Sequence, residues 1–543
     1  MDHIFGTFAS DQLKLVHHQV EHSGIQHAGR IAPLDPLPGQ QVTLFARVGA
    51  ESGIDRAAVY YTIDGSVPVG NRGHAVRGQV VSMQRVSVEW DSLSWSYVAT
   101  WIAELPPQAD QTTVRYIISG WADGADEIFA DYPNVQRTAE LAAAAFFRNE
   151  PLPLAPVGDP LDATVFSYRV DTVPAPKWAR DSIIYHIFVD RFFAGNGKTW
   201  QQTDDLEGVV GGTLWGVRDK LDYLCDLGAT ALWLSPTWVS PSHHGYDIVD
   251  YCMTDPRYGG DVALKALVEE AHRRGLRVIL DLVANHMSHT NPIFEQAHAD
   301  ARSPYRDWFT FDDSTLGYRS FFGVRSMPQI NVDNAHARRY LLDVARHWIR
   351  EFDVDGYRLD YANGPSLDFW TDFRSAVHDE KHDAFIFGEV VDAPDAVRQY
   401  AGHLDGCLDF FASETLRKAY GWKSITPADA DRVLKLHADY YPSDFVLPTF
   451  LDNHDMDRFL LIANGDKEAL RQAAIAQMRL PAPPVIYYGT EVGLSQRKSV
   501  SHGNGLHMSR EPMLWGEDQD AELLGEYKRL IRERKAARTT TSR

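Results

Sequence analysis

Two charged side chains, Arg358 and Asp360, lie two residues apart in the apolar run Val354–Ala362. On a β-strand, residues two apart point to the same face, which brings the guanidinium beside the carboxylate. An arginine in that position keeps a carboxylate ionised and fixes its rotamer through charge-assisted hydrogen bonds. A carboxylate nucleophile needs both effects, so Asp360 is the first catalytic candidate. Taken alone, the pair fits a structural ion pair at a strand end better, because Arg/Asp pairs are common.

Similar strand ends recur along the second part of the chain, where apolar runs alternate with helix-period segments. This alternation is typical of a closed parallel (β/α)8 TIM barrel, and it predicts an α/β domain over residues 174–543. A doubly wound open sheet is the alternative, but no glycine-rich phosphate fingerprint follows the first strand. The eight strand-like runs are Ile183–Val189, Ala231–Leu234, Val278–Val283, Val354–Ala362, Ala384–Glu389, Cys407–Phe410, Phe445–Leu451 and Val485–Tyr488.

In such a barrel the active site lies at the C-terminal ends of the strands, so the polar residues there form one constellation. An ionised Asp with a Glu in a separately tuned environment is the layout of retaining glycoside hydrolysis. The Asp forms a covalent glycosyl-enzyme, the Glu protonates the leaving oxygen, and a third carboxylate stabilises the charge on the sugar. The strand-end residues are Asp281, Asn285, His286, Arg358, Asp360, Glu389, Asn453, His454 and Asp455.

The first part of the chain has short strand-like runs without the alternating helix-period segments. Short alternating runs such as Val42–Val48 predict an N-terminal β-sandwich over residues 1–173. Prolines between Pro151 and Pro176 predict a linker. After the third barrel strand, a stretch with few helix signals predicts a small inserted domain at about 287–334. The chain reaches the eighth helix and stops, so we expect no C-terminal β domain.

Composition excludes several classes of partner. The 543 residues carry a formal charge of -21, which argues against a nucleic-acid partner. No stretch approaches the ~20 apolar residues of a membrane span, and no signal peptide begins the chain. Cys225, Cys252 and Cys407 have neither zinc-ligand spacing nor a disulfide framework. These features indicate a cytoplasmic protein without a nucleic-acid or membrane partner.

Several segments resemble glycoside hydrolase family 13, the α-amylase family, in the family's order and on the expected strands. The inserted region and the barrel entry are similar to the form seen in cyclomaltodextrinases, neopullulanases and maltogenic amylases. The resemblance covers residues from about Pro174 onward, and for the N-terminal domain it implies a starch-binding-like sandwich that supports dimers in related enzymes, so a homodimer is an open expectation. The matching segments are Asp281–His286, Gly356–Asp360, Gly388–Val390, Asn453–Asp455, Met327–Asn331 and Pro176–Asp181.

The resemblance implies a role for each matched residue. Asp360 would be the nucleophile, Glu389 the acid/base and Asp455 the third carboxylate, with no cofactor required. It also implies residues that bind or orient the reacting sugar, which are Tyr246, His286, Arg358, His454 and Arg510.

The expected activity is retaining hydrolysis of α-1,4-glucosidic bonds in maltodextrins and starch-related oligosaccharides. Alternatives are a glucanotransferase or isomerase of the trehalose-synthase or sucrose-using type, α-1,6 debranching, and a non-catalytic glucan-binding protein. Asn363-Gly364 and Val390–Asp392 depart from the cyclomaltodextrinase pattern, which places a preference for cyclic dextrins in question. Gly364 also replaces a His of the calcium site in other α-amylases, so the metal is left open. A calcium site around Asp190 to Asp205 is an alternative to a plain polar loop.

Overall fold

The computed structural model describes residues 15, 18–131, 163–200, 202–501 and 505–541. The first part of the predicted linker, including Pro151 to Pro160, lies outside these residues. The described part contains an N-terminal module built of antiparallel strands and a barrel built of parallel strands. No described helix is both long and apolar enough to cross a membrane.

Two antiparallel five-stranded sheets form the N-terminal module. The strands are β1 (Ile25–Gln26), β2 (Ile31–Ala32), β3 (Val42–Gly49), β4 (Arg56–Thr62), β5 (Val69–Asn71), β6 (His74–Arg77), β7 (Gln79–Ser82), β8 (Gln84–Asp91), β9 (Ser96–Leu105), β10 (Thr112–Trp121), β11 (Ile128–Phe129) and β12 (Phe166–Val170). One sheet has the order β1-β3-β9-β8 with β2 beside β3, and the other has the order β11-β10-β4-β7 with β12 beside β10.

One apolar core lies between the two sheets. Along β3, Val42, Leu44 and Ala46 are buried while the residues between them are partly exposed, as expected when one face of a strand packs inward. They share a core with Val114 and Tyr116 of β10 in the other sheet. The inward face of β3 therefore packs on the opposite sheet and stabilises the module.

The barrel wall consists of parallel strands joined by helices. The strands of this part are β13 (Ile184–Ile187), β14 (Ala231–Leu234), β15 (Trp238–Val239), β16 (Asp250–Thr254), β17 (Arg277–Val283), β18 (Gly356–Asp360), β19 (Phe385–Gly388), β20 (Gly406–Cys407) and β21 (Val485–Tyr487). The helices are α1 (Lys177–Asp181), α2 (Leu214–Asp219), α3 (Leu221–Leu227), α4 (Gly260–Arg273), α5 (Pro292–Ala299), α6 (Ala335–Phe352), α7 (Leu367–Glu380), α8 (Pro394–Arg398), α9 (Phe410–Leu416), α10 (Pro427–Tyr440), α11 (Phe459–Ile462), α12 (Lys467–Arg479) and α13 (Ala521–Thr541).

The parallel sheet has the order β20-β19-β18-β17-β14-β13-β21 and closes into a barrel. Isolated parallel bridges join Gly406 to Val446 and Thr449 to Pro484, so residues 446–449 occupy the seventh position. The sequence predicts a continuous strand there. Pro448 interrupts it, because proline has no backbone N–H to donate to a ladder, although its carbonyl accepts from Asp409 N at 2.9 Å.

The segment between β17 and α6 is tied back to the end of β17. Ile330 N donates to Asn285 O at 2.8 Å, and Met287 N donates to Pro328 O at 3.1 Å. Asn334 then caps α6, its side chain accepting from His336 N and Ala337 N. The residues that follow the third strand are therefore held at the C-terminal end of the barrel.

Buried ion pairs join the module to the barrel. Arg115 of β10 donates to Asp368 at 3.1 Å and to Asp372 at 2.6 Å, both on α7. Arg374 of the same helix donates to Asp171 at 3.0 Å, just after β12. Since α7 follows the strand that ends in Asp360, the module rests on the element next to the candidate nucleophile. The expectation that no β domain follows α13 stays a prediction.

Candidate active site

Strand β18 brings Arg358 and Asp360 together as their spacing predicts. Arg358 is completely buried, and its Nη1 donates a hydrogen bond of 2.9 Å to Oδ1 of Asp360. Asp360 ends the strand, is 7% exposed and lines a cavity at this end of the barrel. The guanidinium therefore fixes the orientation of the carboxylate while leaving it open to a ligand.

Glu389 lies at the end of β19, which pairs in parallel with β18. Its Oε2 is 2.7 Å from Nη2 of Arg358 and accepts a hydrogen bond of 3.0 Å from the backbone N–H of Tyr361. Tyr361 directly follows Asp360, so the same short stretch of chain orients both carboxylates. Asp360 and Glu389 thus share one guanidinium.

Asp281 lies behind this pair and does not line the cavity. Its Oδ1 accepts a hydrogen bond of 2.7 Å from Arg358 Nη1. Its Oδ2 accepts from the indole N–H of Trp233 and from the hydroxyl of Tyr246, each at 3.0 Å. A carboxylate with this many donors is held in one orientation and anchors Arg358.

Asp455 is held by two neighbours. His454 Nε2 lies 2.9 Å from its Oδ2, and Arg510 Nη2 lies 2.9 Å from its Oδ1. The same His454 nitrogen is 2.6 Å from the hydroxyl of Tyr246, and the two rings are nearly parallel at 7°. These contacts hold Asp455 in the wall of the same cavity as Asp360.

His286 presents an unpartnered nitrogen. It is 1% exposed, and its Nε2 has no hydrogen-bond partner within the described structure. Its Nδ1 lies 3.2 Å from the side-chain nitrogen of Asn285, and its ring stacks on Phe321 at 4.7 Å. Burial lowers the pKa of His286 to about 3, so the ring is neutral at physiological pH and is able to hydrogen-bond a sugar hydroxyl.

The protonation of Asp360 and Glu389 is coupled. Burial raises the pKa of Asp360 well above its ordinary value, Arg358 lowers it, and the charges of Glu389 and Asp281 raise it. Burial also raises the pKa of Glu389, against the lowering by Arg358. Two carboxyls in this arrangement titrate as a pair and hold a proton closer to neutral pH than isolated carboxyls do. The sequence predicts that Arg358 keeps Asp360 ionised, whereas in the structure burial outweighs the guanidinium.

The carboxyl of Asp455 behaves differently. Burial raises its pKa, but His454, Arg510 and Arg358 together outweigh burial and hold the pKa well below the usual range. Asp455 is therefore an anion at every physiological pH. Of the three carboxyls, Asp455 is permanently charged, whereas Asp360 and Glu389 together carry a proton.

The cavity has a volume of about 260 Å³. It brings together Asp360, Glu389 and Asp455 with the predicted sugar contacts Tyr246, His286 and Arg510. Arg358 and His454 do not line it and act from behind through their hydrogen bonds. The other lining residues are His243, His244, Phe321, Met327, Tyr361, Val391, Phe410, Asn453, Met456, Leu506 and His507.

The sequence analysis did not identify the two rings that stack beneath the guanidinium of Arg358. The indole of Trp233 lies under the guanidinium at 5.3 Å, and the ring of His186 stacks on the indole at 3.6 Å. Both residues lie inside strand runs that the sequence did identify. A histidine within a continuously apolar run is the signal that would have marked this position.

The predicted calcium positions have other roles in the structure. Asp190 accepts hydrogen bonds from Val210 N and Gly211 N at 3.0 Å each. Asn285 Oδ1 accepts from Gln329 at 3.2 Å, and a Cβ at Gly364 would lie 1.9 Å from this oxygen. Calcium stays a prediction at both places.

In the described residues, a set of side chains close enough to share a metal ion consists of His18, His22 and Asp91. This set lies in the N-terminal module. It is separate from the candidate active site.

The comparison with known families agrees with this geometry. The model of the α-amylase catalytic domain matches residues 186–539. This chain belongs to the α-amylase family. The α-amylase catalytic domain is a (β/α)8 barrel, in agreement with the closed sheet described above.

Named relatives of this α-amylase family chain carry glycosidase names. Alpha-amylase 2 of Dictyoglomus thermophilum is 43% identical over 370 residues, which are 68% of this chain and 65% of that protein. The cyclomaltodextrinase of Geobacillus thermopakistaniensis is 37% identical over 401 residues, 69% of this chain and 65% of that protein. The alignments thus span just under two thirds of the length of these relatives.

A solved structure of a cyclomaltodextrinase aligns over more of the molecule. It is 26% identical with a TM-score of 0.62, and the alignment covers 94% of this chain and 84% of that chain. Its coverage exceeds the extent of the catalytic domain, so the similarity includes part of the N-terminal module.

Proposed function

We propose that the protein is a retaining glycosidase that cleaves α-1,4-glucosidic bonds in maltodextrins and starch-related oligosaccharides. The observation that carries the proposal is the guanidinium of Arg358, which contacts both Asp360 and Glu389 at the edge of one cavity. Retaining hydrolysis needs a carboxylate nucleophile and a carboxylic acid that face the same glycosidic bond. The names of the relatives supply the substrate class.

In the first step, Asp360 attacks the anomeric carbon while Glu389 protonates the leaving oxygen. The pair already shares a proton, and the bound glycosidic oxygen accepts it from Glu389. With that proton on Glu389, Asp360 is the anion that attacks, held by Arg358 Nη1 at 2.9 Å, and its negative charge is consumed as the bond to the anomeric carbon forms. In the second step, Glu389 takes a proton from water, the oxygen of that water attacks the anomeric carbon, and the bond to Asp360 breaks with retention of configuration.

Asp455 stabilises the positive charge that develops on the sugar ring. It is an anion at the cavity wall, and His454 and Arg510 hold it in place from two sides. A fixed charge aimed at a developing charge lowers the barrier without reorganisation at the moment of reaction. His286, with its free Nε2, binds a hydroxyl of the same sugar.

All of these steps use carboxylates, an arginine and histidines of this chain, so we propose that catalysis requires no cofactor. Dialysis against a chelator should leave the rate unchanged. A loss of activity that calcium restores, with no change in melting temperature, would assign the metal a part in the reaction.

We also propose a cytoplasmic location and leave a homodimer as a candidate assembly. A relative from Bacillus subtilis that is 33% identical carries the name intracellular maltogenic amylase. Cell fractionation tests the location, and sedimentation of purified protein tests the assembly.

The deciding experiment is a time course of products from maltotriose, soluble starch, β-cyclodextrin, pullulan and sucrose, with the anomer followed by NMR. We expect α-anomers of glucose or maltose to appear first from the linear dextrins. Longer transfer products in place of free sugars would indicate a glucanotransferase. Binding without turnover on every substrate would indicate a glucan-binding protein.

A further inference from the structure

Three side chains of metal-binding type meet in the N-terminal module. Residues 18–21 are helical and His22 follows in a turn, so His18 and His22 lie one helical turn apart just before β1. Asp91 is the last residue of β8. One ring nitrogen of each histidine and one carboxylate oxygen of Asp91 all lie within 4.8 Å of one another. None of the three lines the cavity at Asp360, so they are separate from the proposed reaction.

The spacing of the two histidines suits a shared metal ion. Side chains four residues apart on a helical segment lie on the same face, one above the other. The rings of His18 and His22 are stacked, with their centres 4.0 Å apart and their planes at 21°. A pair of histidines at this spacing binds zinc on the helices of metalloenzymes. The two imidazoles are therefore close enough to bind one ion.

Two of the three side chains have a further hydrogen bond that orients them. Nδ1 of His22 donates to the backbone oxygen of His18 at 2.6 Å. Because a carbonyl only accepts, Nδ1 carries the proton of this ring, and Nε2 keeps a lone pair that a metal can use. Oδ2 of Asp91 accepts from the backbone N–H of Ser94 at 2.6 Å. Outer contacts of this kind fix the tautomer and the orientation of metal ligands.

His18 already contacts the carboxylate of Asp91. Its Nε2 lies 2.8 Å from Oδ2, and the two side chains are 25% and 19% exposed, so an ion can enter from solvent. A tetrahedral zinc ion lies about 2.1 Å from each such ligand, which separates any two ligands by about 3.4 Å. Side-chain rotations that open the contact from 2.8 Å by about 0.6 Å and draw His22 inward would therefore admit the ion.

The types of ligand select the class of metal. Two imidazoles and one carboxylate suit Zn²⁺ and its transition-metal neighbours, whereas Ca²⁺ and Mg²⁺ prefer oxygen ligands. Asp91 supplies a negative charge at the site. The positive charge of Arg47 also acts on His22. The charges of Glu21 and Glu89 oppose that of Arg47, so the surroundings do not repel a divalent cation.

We propose that His18, His22 and Asp91 bind one Zn²⁺ ion, with a water molecule as the fourth ligand. β1 and β8 are the two edges of one sheet, with β3 and β9 between them. The ion would tie the turn before β1 to the end of β8, across the whole width of the sheet. Its role is structural, because an ion that binds the folded chain and not the unfolded one stabilises the fold.

The test is a calorimetric titration of the chelator-treated full chain with zinc chloride at about pH 7.5, where imidazole is mostly neutral. We expect a site for one Zn²⁺ per chain, and His22→Ala should lower its affinity by about 100-fold or more because one of three protein ligands is lost. Saturating zinc should raise the melting temperature of the parent but not of this variant. His74→Ala, which removes an exposed histidine of β6, is the matched control and should behave like the parent.

A second variant separates a metal ligand from a partner in an ion pair. His18→Gln keeps an amide that can donate to Asp91 but removes an imidazole. Loss of zinc binding in this variant, with a melting temperature without zinc close to that of the parent, would support the site. If the parent binds no zinc, or if His18→Gln and His22→Ala bind it as the parent does, the cluster is only a hydrogen-bonded ion pair and the proposal is overturned.

Discussion

The carboxylate of Glu389 lies 2.7 Å from Nη2 of Arg358, the guanidinium that also holds Asp360 through Nη1. One cation therefore serves the candidate acid and the candidate nucleophile. Their pKa values are linked, because protonation of one carboxyl leaves the charge of the arginine to stabilise the other carboxylate. Substitutions at either carboxyl test this arrangement.

Replacing Glu389→Gln should lower kcat for maltotriose by about 100-fold or more with little change in KM, because the lost proton transfer acts only in the transition state. A fluoride leaving group needs no proton, so the variant should form the glycosyl-enzyme from α-maltosyl fluoride at a rate close to that of the parent, while hydrolysis of this intermediate stays slow because Glu389 is also the base. Glu269→Gln, on the outer surface of α4, is the control. An equal loss in the rate of glycosyl-enzyme formation on both substrates would remove Glu389 from the role of acid.

Replacing Asp360→Asn should abolish turnover and raise the melting temperature at pH 7. The folded pKa of Asp360 is raised, so the stability this carboxyl contributes is complete below its unfolded pKa of about 3.9 and is lost as pH rises through the folded value. Asparagine does not ionise, so the variant keeps this stability as the pH rises. The difference in melting temperature should shrink as the pH is lowered towards about 4.

The measurement is thermal unfolding followed by circular dichroism across this pH range, with Asp123→Asn at an exposed ion pair as the control. An Asp360→Asn protein that melts below the parent at pH 7 would mean that the bond to Arg358 outweighs burial. A fluoroglucosyl reagent that labels the parent at another residue would exclude Asp360 as nucleophile.

Replacing Arg115→Met should destabilise the whole chain. The substitution leaves Asp368 and Asp372 on α7 with less compensation, and breaking a buried ion pair costs about 3 to 5 kcal/mol. Denaturant unfolding measures the loss. Arg56→Met, at an exposed pair with Asp123, should change the melting temperature little. Equal effects of the two substitutions would show that the interface does not depend on this network.

Replacing Gly364→Ala should reduce activity by about tenfold or more, because the new Cβ lies 1.9 Å from Asn285 Oδ1 and displaces the neighbour of His286. Gly525→Ala is the control, since no atom lies within 4 Å of its Cβ and the residue lies in an exposed turn of α13. That change should keep activity and add about 0.5–1 kcal/mol of stability. Full activity in Gly364→Ala would show that Asn285 moves without consequence for the site.

The sequence predicted most barrel strands because each is a short apolar run with polar residues at its end. It predicted Val42–Val48 because one face of that strand is buried. It missed β8, where Val86, Val88 and Trp90 alternate with polar residues although these apolar side chains are exposed rather than buried. The isolated bridges at Val446 and Thr449 also have no local sequence signal, because each joins residues that are far apart in the chain.

The site residues were likewise predictable only where they had a local sequence signal. Residues that end strands, such as Asp360 and Glu389, were identified from position and type. The protonation of the pair was not, because the pKa of Asp360 depends on burial that only the closed barrel creates.

Strand β12 has a consequence for dissecting the molecule. It pairs with β10 from Thr112 to Tyr116, yet it lies after residues 132–162 in the chain. A fragment ending at residue 131 would lack this strand and expose the edge of β10 to other chains. A fragment that begins at residue 163 would carry β12 near its N-terminus without β10, the strand with which it pairs. The excisable unit therefore extends through Val170, and a protease cut within the intervening stretch should leave two pieces that stay associated.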